Sequence, residues 1–315
     1  MGKRIPKYLS PFFATLSFVA ARLPFKTSYF LMGIVVNKGG EFFLKPRNMR
    51  ANLREIFPDL PEPAIEDLTK KILTNFGRHI AEIFNIASFK QGKNGMRIDF
   101  SSPEGAVFSG KGPAIYVGAH VGSWELLPLV FTQKNQPLTV IYSENENASL
   151  NTLLMHQRQQ SGATYLEKNI ALKPFYHALD RGESIALLVD QRVSPGIDVT
   201  FFDRPTAISR IPARLATNFD CPIIPFEVVR IAPGHLRVVF QEAILPAGRK
   251  GKQAELELTQ NFALKVQESI VRNADTWFCA KLRWRRSDRE KILAQKTALE
   301  AGPLSSDAFP AEHLH

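Results

Sequence analysis

The chain is poor in cysteine and has none of the common catalytic or nucleotide-binding signatures. Its 315 residues include two cysteines, Cys221 and Cys279, which form neither a disulfide framework nor a metal-ligand spacing. A reducing, cytosolic environment fits this composition. We find no P-loop, GxGxxG, HExxH or GxSxG pattern, so serine-nucleophile, nucleotide-binding and metalloprotease functions have no support. No internal repeat is present either.

Acidic residues are nearly missing from the first 54 positions. This segment holds ten Lys or Arg and one acid, Glu41, so it carries +9 of the net charge of +10. The basic residues flank apolar runs, a pattern that favours an anionic membrane surface. Binding of nucleic acid would instead require a basic face with stacking aromatic residues on a folded domain, and we predict no nucleic-acid partner.

A long apolar run is missing too. The longest candidate, Tyr8–Leu23, is shorter than the ~20 residues that a spanning helix needs, and Pro11 shortens it further. Ala20-Ala21-Arg22 is a poor cleavage site for a signal peptide. We therefore predict an uncleaved membrane-docking segment, either interfacial or a marginal span; a soluble core helix is the alternative.

The most informative stretch is Ala114–Pro128, AIYVGAHVGSWELLP. Its apolar half predicts a buried strand over Ala114–Ala119, and Ser123 is suited to cap a helix that begins near Trp124. His120 then lies on the turn where α/β proteins place their chemistry. We predict His120 as a general base, oriented by the carboxylate of Glu125. A core histidine beside a helix-capping glutamate is the other interpretation.

This stretch resembles the H-x4-D/E motif of glycerolipid acyltransferases, and HVGSWE is closest to the late acyltransferases of lipid A biosynthesis. Two further motifs match in order. Arg158 lies in an R-x3-G step, and Asp190 ends the strand-like run ALLVDQ. The resemblance implies that both are catalytic: Arg158 stabilises an oxyanion, and Asp190 supports Arg158 or the acceptor. Without it, Arg158 is a solvated helix residue and Asp190 begins a turn.

Five residues are predicted to bind substrate. Ser123 and Trp124 belong to the first motif, although the family most often has Asn before Trp-Glu. Arg204 follows a Phe-Phe step, and Arg283 lies in the basic aromatic run Trp277–Arg286; both positions resemble the family. Arg210, with Ser209, lies near a helix start that could bind phosphate.

Strand patterns that lead into helical patterns indicate an α/β fold. The resemblance to glycerolipid acyltransferases implies a single large domain with a mixed, mainly parallel central sheet flanked by helices. We predict three segments: 1–50 for membrane association through a docking helix, 51–290 as the acyltransferase domain, and 291–315 as a helix end and frayed tail.

The resemblance implies transfer of an acyl chain from acyl carrier protein to a hydroxyl of an anionic, phosphorylated lipid A precursor, at the cytoplasmic face of the bacterial inner membrane. No cofactor and no metal are expected, because a thioester is already activated. Three alternatives remain open: another glycolipid or lysophospholipid acceptor, a non-catalytic peripheral membrane protein, and a hydrolase using the same His/Glu pair.

Overall fold

The structure, a computed structural model, describes residues 22–105, 107–108, 112–144, 148–168 and 172–284. The predicted docking segment Tyr8–Leu23 lies almost wholly outside these residues, as does the tail 291–315. None of the helices in the described ranges combines the length and apolarity that a bilayer span requires. Membrane docking therefore stays a prediction.

Four helices form the N-terminal part of the described chain. Proline at the first turn of the second and third helices sets φ without losing a hydrogen bond. The first and third pack so closely that a Cβ on Gly77 would lie 2.2 Å from the carbonyl oxygen of Met32. The helices are α1 (Phe25–Phe43), α2 (Pro46–Ile56), α3 (Glu62–Ile83) and α4 (Ile86–Lys90).

A seven-stranded sheet forms the centre, in the order β1-β9-β8-β2-β5-β3-β4. All neighbours in it are parallel except the hairpin β8–β9. Strands β6 and β7 form a separate antiparallel hairpin. The strands are β1 (Arg97–Ser101), β2 (Ile115–Gly118), β3 (Leu138–Tyr142), β4 (Thr164–Glu167), β5 (Ser184–Leu188), β6 (Ile197–Phe201), β7 (Arg204–Ile208), β8 (Ile223–Ala232) and β9 (His235–Phe240).

Helices cover the sheet and complete the core. One cluster of edge-to-face rings joins Tyr116 of β2 with Phe131 and Phe240. The remaining helices are α5 (Leu127–Gln133), α6 (Ala148–Gln159), α7 (Lys173–Asp180), α8 (Ile211–Phe219) and α9 (Gly251–Arg272). The predicted α/β fold with a mainly parallel sheet is confirmed.

The helix predicted to begin near Trp124 starts as a 3₁₀ turn, Trp124–Leu126, which continues into α5. Ser123 makes no capping hydrogen bond there, so its predicted capping role is wrong.

Candidate active site

His120 and Asp190 meet because they follow neighbouring parallel strands. Gly118 ends β2 opposite Leu188, the last residue of β5, and the Val189 amide donates to the Gly118 carbonyl at 2.9 Å. Each chain runs on by two residues to a polar side chain at the same edge of the sheet. The His120 Nδ1 lies 2.7 Å from Asp190 Oδ1. The two residues therefore form a hydrogen-bonded acid–base pair.

Asp190 is held on its other side by an indole. Trp277 Nε1 donates to Asp190 Oδ2 at 2.9 Å, and the Asp190 side chain is 2% exposed. Burial alone raises the pKa of Asp190, but the charge of His120 and hydrogen bonds from His120 and Trp277 outweigh it, so the pKa lies below its ordinary value. The carboxylate is thus ionised and accepts the Nδ1 proton, which leaves the lone pair on Nε2.

Glu125 does not contact His120 as predicted but forms an ion pair with Arg158. Arg158 Nε and Nη2 reach its two carboxylate oxygens at 2.9 and 2.5 Å, and both side chains are 12% exposed. The guanidinium also lies over the rings of Tyr142 and Tyr165. The roles predicted for Glu125 and Asp190 are therefore corrected: Asp190 orients His120, and Glu125 holds Arg158.

A buried ion pair that was not predicted from the sequence holds the turn after His120. The Ser123 hydroxyl donates to Glu82 of α3, and Arg230 of β8 donates to both Glu82 oxygens at 2.8 Å. Ser123 and Glu82 are fully buried. The prediction that Ser123 binds substrate is wrong, because its side chain points into this network. The only sequence signal was a Glu between the apolar Ile80 and Ile83.

Gly122 lets the turn approach β8. It has a φ of +62°, and a Cβ would lie 1.8 Å from the Val228 carbonyl oxygen. That oxygen accepts a hydrogen bond from the Ser123 amide at 3.1 Å. Glycine is therefore required here both for conformation and for space.

Trp124 lies in a stack of rings beside the acid–base pair. His79 of α3 approaches it with a centroid distance of 3.9 Å, and Phe76 and Phe278 stack at 3.7 Å from one another. Burial, followed by the charge of Arg230, lowers the pKa of His79 well below 6.5. His79 is therefore a neutral packing residue.

A cavity of about 610 Å³ opens beside His120. One part of its lining is apolar and buried, with Leu127, Ala186 and Phe226. The other part is polar and mostly cationic. Its charged or hydrogen-bonding residues include His120, Glu125, Glu144, Arg158, Lys168, Gln191, Arg192, Arg210 and Lys281. This lining suits a molecule with a hydrocarbon chain and an anionic group.

Some of the predicted substrate-binding residues line the cavity and others do not. Trp124 and Arg210 line the cavity, and Arg210 pairs with Glu255 at 2.5 Å. Arg204 is not among the described lining residues and pairs with Glu55 at 2.8 Å. Arg283 is buried, donates to the Thr206 hydroxyl at 2.8 Å and lies over the Phe201 ring. For Arg283 the structure contradicts a binding role, because the guanidinium is enclosed by the β6–β7 hairpin.

A strap, residues 277–283, ties these parts together. The Phe278 amide donates to the His120 carbonyl at 2.8 Å, next to the Trp277 contact with Asp190. Asn52 of α2 donates to the carbonyls of Cys279 and Lys281 and accepts from the Arg283 amide. The acid–base pair is therefore positioned by the C-terminal end of the described fold.

A family model for bacterial lipid A biosynthesis acyltransferases matches residues 3–286. The chain belongs to that family. The family and the acyltransferase class that the motifs predicted are both confirmed. All the site residues described above lie within the matched range.

Two relatives are phosphatidylinositol mannoside acyltransferases from two strains of Mycobacterium tuberculosis. Each is 22% identical over 200 residues, covering 59% of this chain and 63% of the relative. The chain therefore spans less than two thirds of the length of these curated relatives. The crystal structure of the 1-acyl-sn-glycerophosphate acyltransferase PlsC from Thermotoga maritima covers 81% of this chain and 99% of that chain, at 11% identity and a TM-score of 0.37.

Proposed function

We propose that this protein transfers a fatty acyl chain from acyl carrier protein to a hydroxyl of a phosphorylated lipid A precursor, at the cytoplasmic face of the bacterial inner membrane. One observation supports the reaction type: His120, which forms a 2.7 Å hydrogen bond with Asp190, lines a cavity whose lining includes both apolar and cationic residues. Family membership supports acyl transfer to a lipid.

His120 is the general base in this proposal. Its Nε2 takes the proton of the acceptor hydroxyl while the hydroxyl oxygen forms a bond to the thioester carbonyl carbon. The tetrahedral intermediate then collapses, the C–S bond breaks, and the leaving sulfur takes the proton back from the imidazolium. Asp190 stabilises that imidazolium and keeps the Nδ1 proton in place. The products are an ester and a free thiol, and the proton that His120 takes from the acceptor hydroxyl ends on the thiol.

The cavity supports the two substrate classes. Leu127, Ala186 and Phe226 offer an apolar surface to an acyl chain, and Lys168 and Arg210 offer cations to phosphate. Arg210 is 41% exposed even though it pairs with Glu255, so it remains accessible to an anionic ligand. Arg158, bound by Glu125, also lines the cavity.

Membrane association is supported by the outer face of α1. Phe30, Ile34 and Phe42 are 51%, 59% and 82% exposed at spacings of four and eight residues. Lys26 lies four positions before Phe30, and Lys38 lies between Ile34 and Phe42, four positions from each. An apolar row with lysines of this kind suits an anionic lipid surface. The basic N-terminal charge also suits acyl carrier protein, which is acidic.

A second acceptor is suggested by the relatives, which are named for a mannosylated phosphoinositide.

The deciding experiment compares purified wild type with His120→Ala in detergent, using acyl carrier protein and coenzyme A thioesters as donors. Tetra-acyl lipid A precursor and phosphatidylinositol mannoside are the acceptors, and products are identified by mass spectrometry.

We expect one added acyl chain on the lipid A precursor with the carrier-protein donor, and none with His120→Ala. Transfer only to the mannoside would replace the acceptor. Free fatty acid without transfer would indicate a hydrolase. No turnover by folded protein that still binds anionic vesicles would indicate a non-catalytic lipid-binding protein.

A further inference from the structure

Gln191 faces the reactive nitrogen of His120. Its side-chain Nε2 lies 3.3 Å from the imidazole Nε2, and both residues line the cavity. Gln191 follows Asp190 directly, so the strand end that delivers the carboxylate to Nδ1 also delivers an amide to the other side of the ring. Its backbone is thus fixed by the same strand pairing that fixes Asp190.

The donor in this contact is defined by Asp190. Because the carboxylate accepts from Nδ1, the imidazole Nε2 carries a lone pair and requires a donor opposite it. The amide group of Gln191 is assigned by this network, with its NH₂ turned toward His120. The NH₂ has two hydrogens, and the imidazole lone pair uses one.

We propose that the Gln191 amide donates a hydrogen bond to the carbonyl oxygen of the bound acyl thioester and stabilises the oxyanion. This assignment rests on the proposed acyl transfer. The acceptor hydroxyl takes the place of the amide at the His120 lone pair, and the amide, which lies 3.3 Å from that nitrogen before it is displaced, is then free to donate to a carbonyl oxygen beside the base. As the new C–O bond forms, negative charge collects on the carbonyl oxygen beside the NH₂.

Arg158, which the sequence predicted for this task, is already engaged. Its Nε and Nη2 both donate to Glu125, and the described contact of Nη1 is with Met155 Sδ at 3.8 Å. These contacts hold the guanidinium in one orientation and occupy its donors. The Gln191 amide, in contrast, is half-buried and lies next to the Nε2 atom of His120. The geometry therefore favours Gln191 as the oxyanion donor.

The test uses Gln191→Leu, which removes the donor, and Gln191→Glu, which keeps the shape but offers only acceptors. Gln253→Leu, on the exposed face of α9, is the matched control. We expect kcat/KM to fall by about 10²–10³-fold in both Gln191 variants, with KM for the thioester within about threefold of wild type. The control should retain wild-type kinetics. Near-UV circular dichroism and melting curves establish that the variants are folded.

Two inhibitors separate an oxyanion contact from a structural role. A trifluoromethyl ketone analogue of the acyl donor is hydrated in water, and its hydrate presents a tetrahedral carbon whose oxygens mimic the oxyanion, whereas a thioether analogue has no carbonyl. We expect Gln191→Leu to weaken binding of the ketone by about 10²-fold or more and to leave binding of the thioether unchanged. Equal losses for both analogues, or kcat/KM within about threefold of wild type, would overturn the proposal. Failure of the proposed function would appear separately, as an inactive wild type.

Discussion

Replacing Asp190 by Asn tests the acid–base pair most directly. The two oxygens of Asp190 accept from two donors, His120 Nδ1 and Trp277 Nε1, at 2.7 and 2.9 Å. An amide has one oxygen and one NH₂, so it satisfies only one of them. If the oxygen stays on the indole, the NH₂ faces Nδ1 and moves the imidazole proton to Nε2. The base is then lost.

We expect kcat to fall by roughly 10³- to 10⁴-fold in Asp190→Asn, which is about 4–5.5 kcal/mol in the activation barrier. The second substitution Trp277→Phe removes the indole donor and frees the Asn oxygen to face His120. In Asp190→Asn alone, turning the Asn oxygen toward His120 leaves the buried indole N–H unpaired, which costs about 1–3 kcal/mol. This cost is absent without the indole, so the double variant should be about tenfold or more faster than Asp190→Asn alone.

The assay measures kcat by mass spectrometry of the acylated lipid, with exposed Asp180→Asn as the control for loss of a carboxylate. Circular dichroism and melting curves verify the fold of each variant. The reasoning is refuted if Asp190→Asn keeps more than about a tenth of wild-type kcat. It is also refuted if adding Trp277→Phe slows the enzyme further.

Three further predictions concern stability. In the folded protein the pKa of His79 lies well below 6.5. Below pH 6.5 the unfolded chain therefore binds a proton at His79 that the folded chain does not bind, so the free energy of unfolding of the wild type falls as the pH falls. His79→Phe should therefore gain about 1.4 kcal/mol relative to wild type between pH 7.5 and 5.5 in urea unfolding; a pH-independent difference would contradict this. Gly122→Ala should lower the free energy of unfolding by more than about 4 kcal/mol in thermal melts, because the new Cβ would clash with a backbone oxygen. Gly182 also has a positive φ but has open space around it, so Gly182→Ala should lower the free energy of unfolding by only about 1–2 kcal/mol. Equal losses in the two variants would refute the clash. Glu125→Gln should lower the free energy of unfolding by about 3–5 kcal/mol, because it leaves the charge of Arg158 uncompensated. Adding Arg158→Met should recover part of this loss. Additive losses from the two substitutions would disprove the pairing.

Local patterns predicted the elements that carry the site. Strand β2 lies within the predicted stretch Ala114–Ala119, and β5 ends within the strand-like run ALLVDQ. Both strands follow from short apolar runs that can be recognised within a few positions. Separation of apolar from polar residues along the chain is therefore enough to place His120 and Asp190 at strand ends.

The partners within the site depend on strand order, which local patterns do not contain. Glu125 is five positions from His120, and this nearness suggested a contact. The actual partner, Asp190, is 70 positions away and becomes adjacent only because β2 pairs with β5. The same holds for Glu82 and Arg230, 148 positions apart, since each alone reads as an ordinary charged residue.

The strap has a consequence for the order in which the molecule is made. His120 and Asp190 leave the ribosome well before Trp277, and Asn52 waits for partners that are 227 to 231 positions further along the chain. Contacts this distant in sequence close late and slowly in folding. The indole that fixes Asp190 and the amide that holds the His120 carbonyl belong to the last part of the domain to be synthesised. A nascent chain that ends before Trp277 can pair β2 with β5, but it lacks the indole donor to Asp190 and the amide donor to the His120 carbonyl, so we expect its acid–base pair to be incompletely positioned.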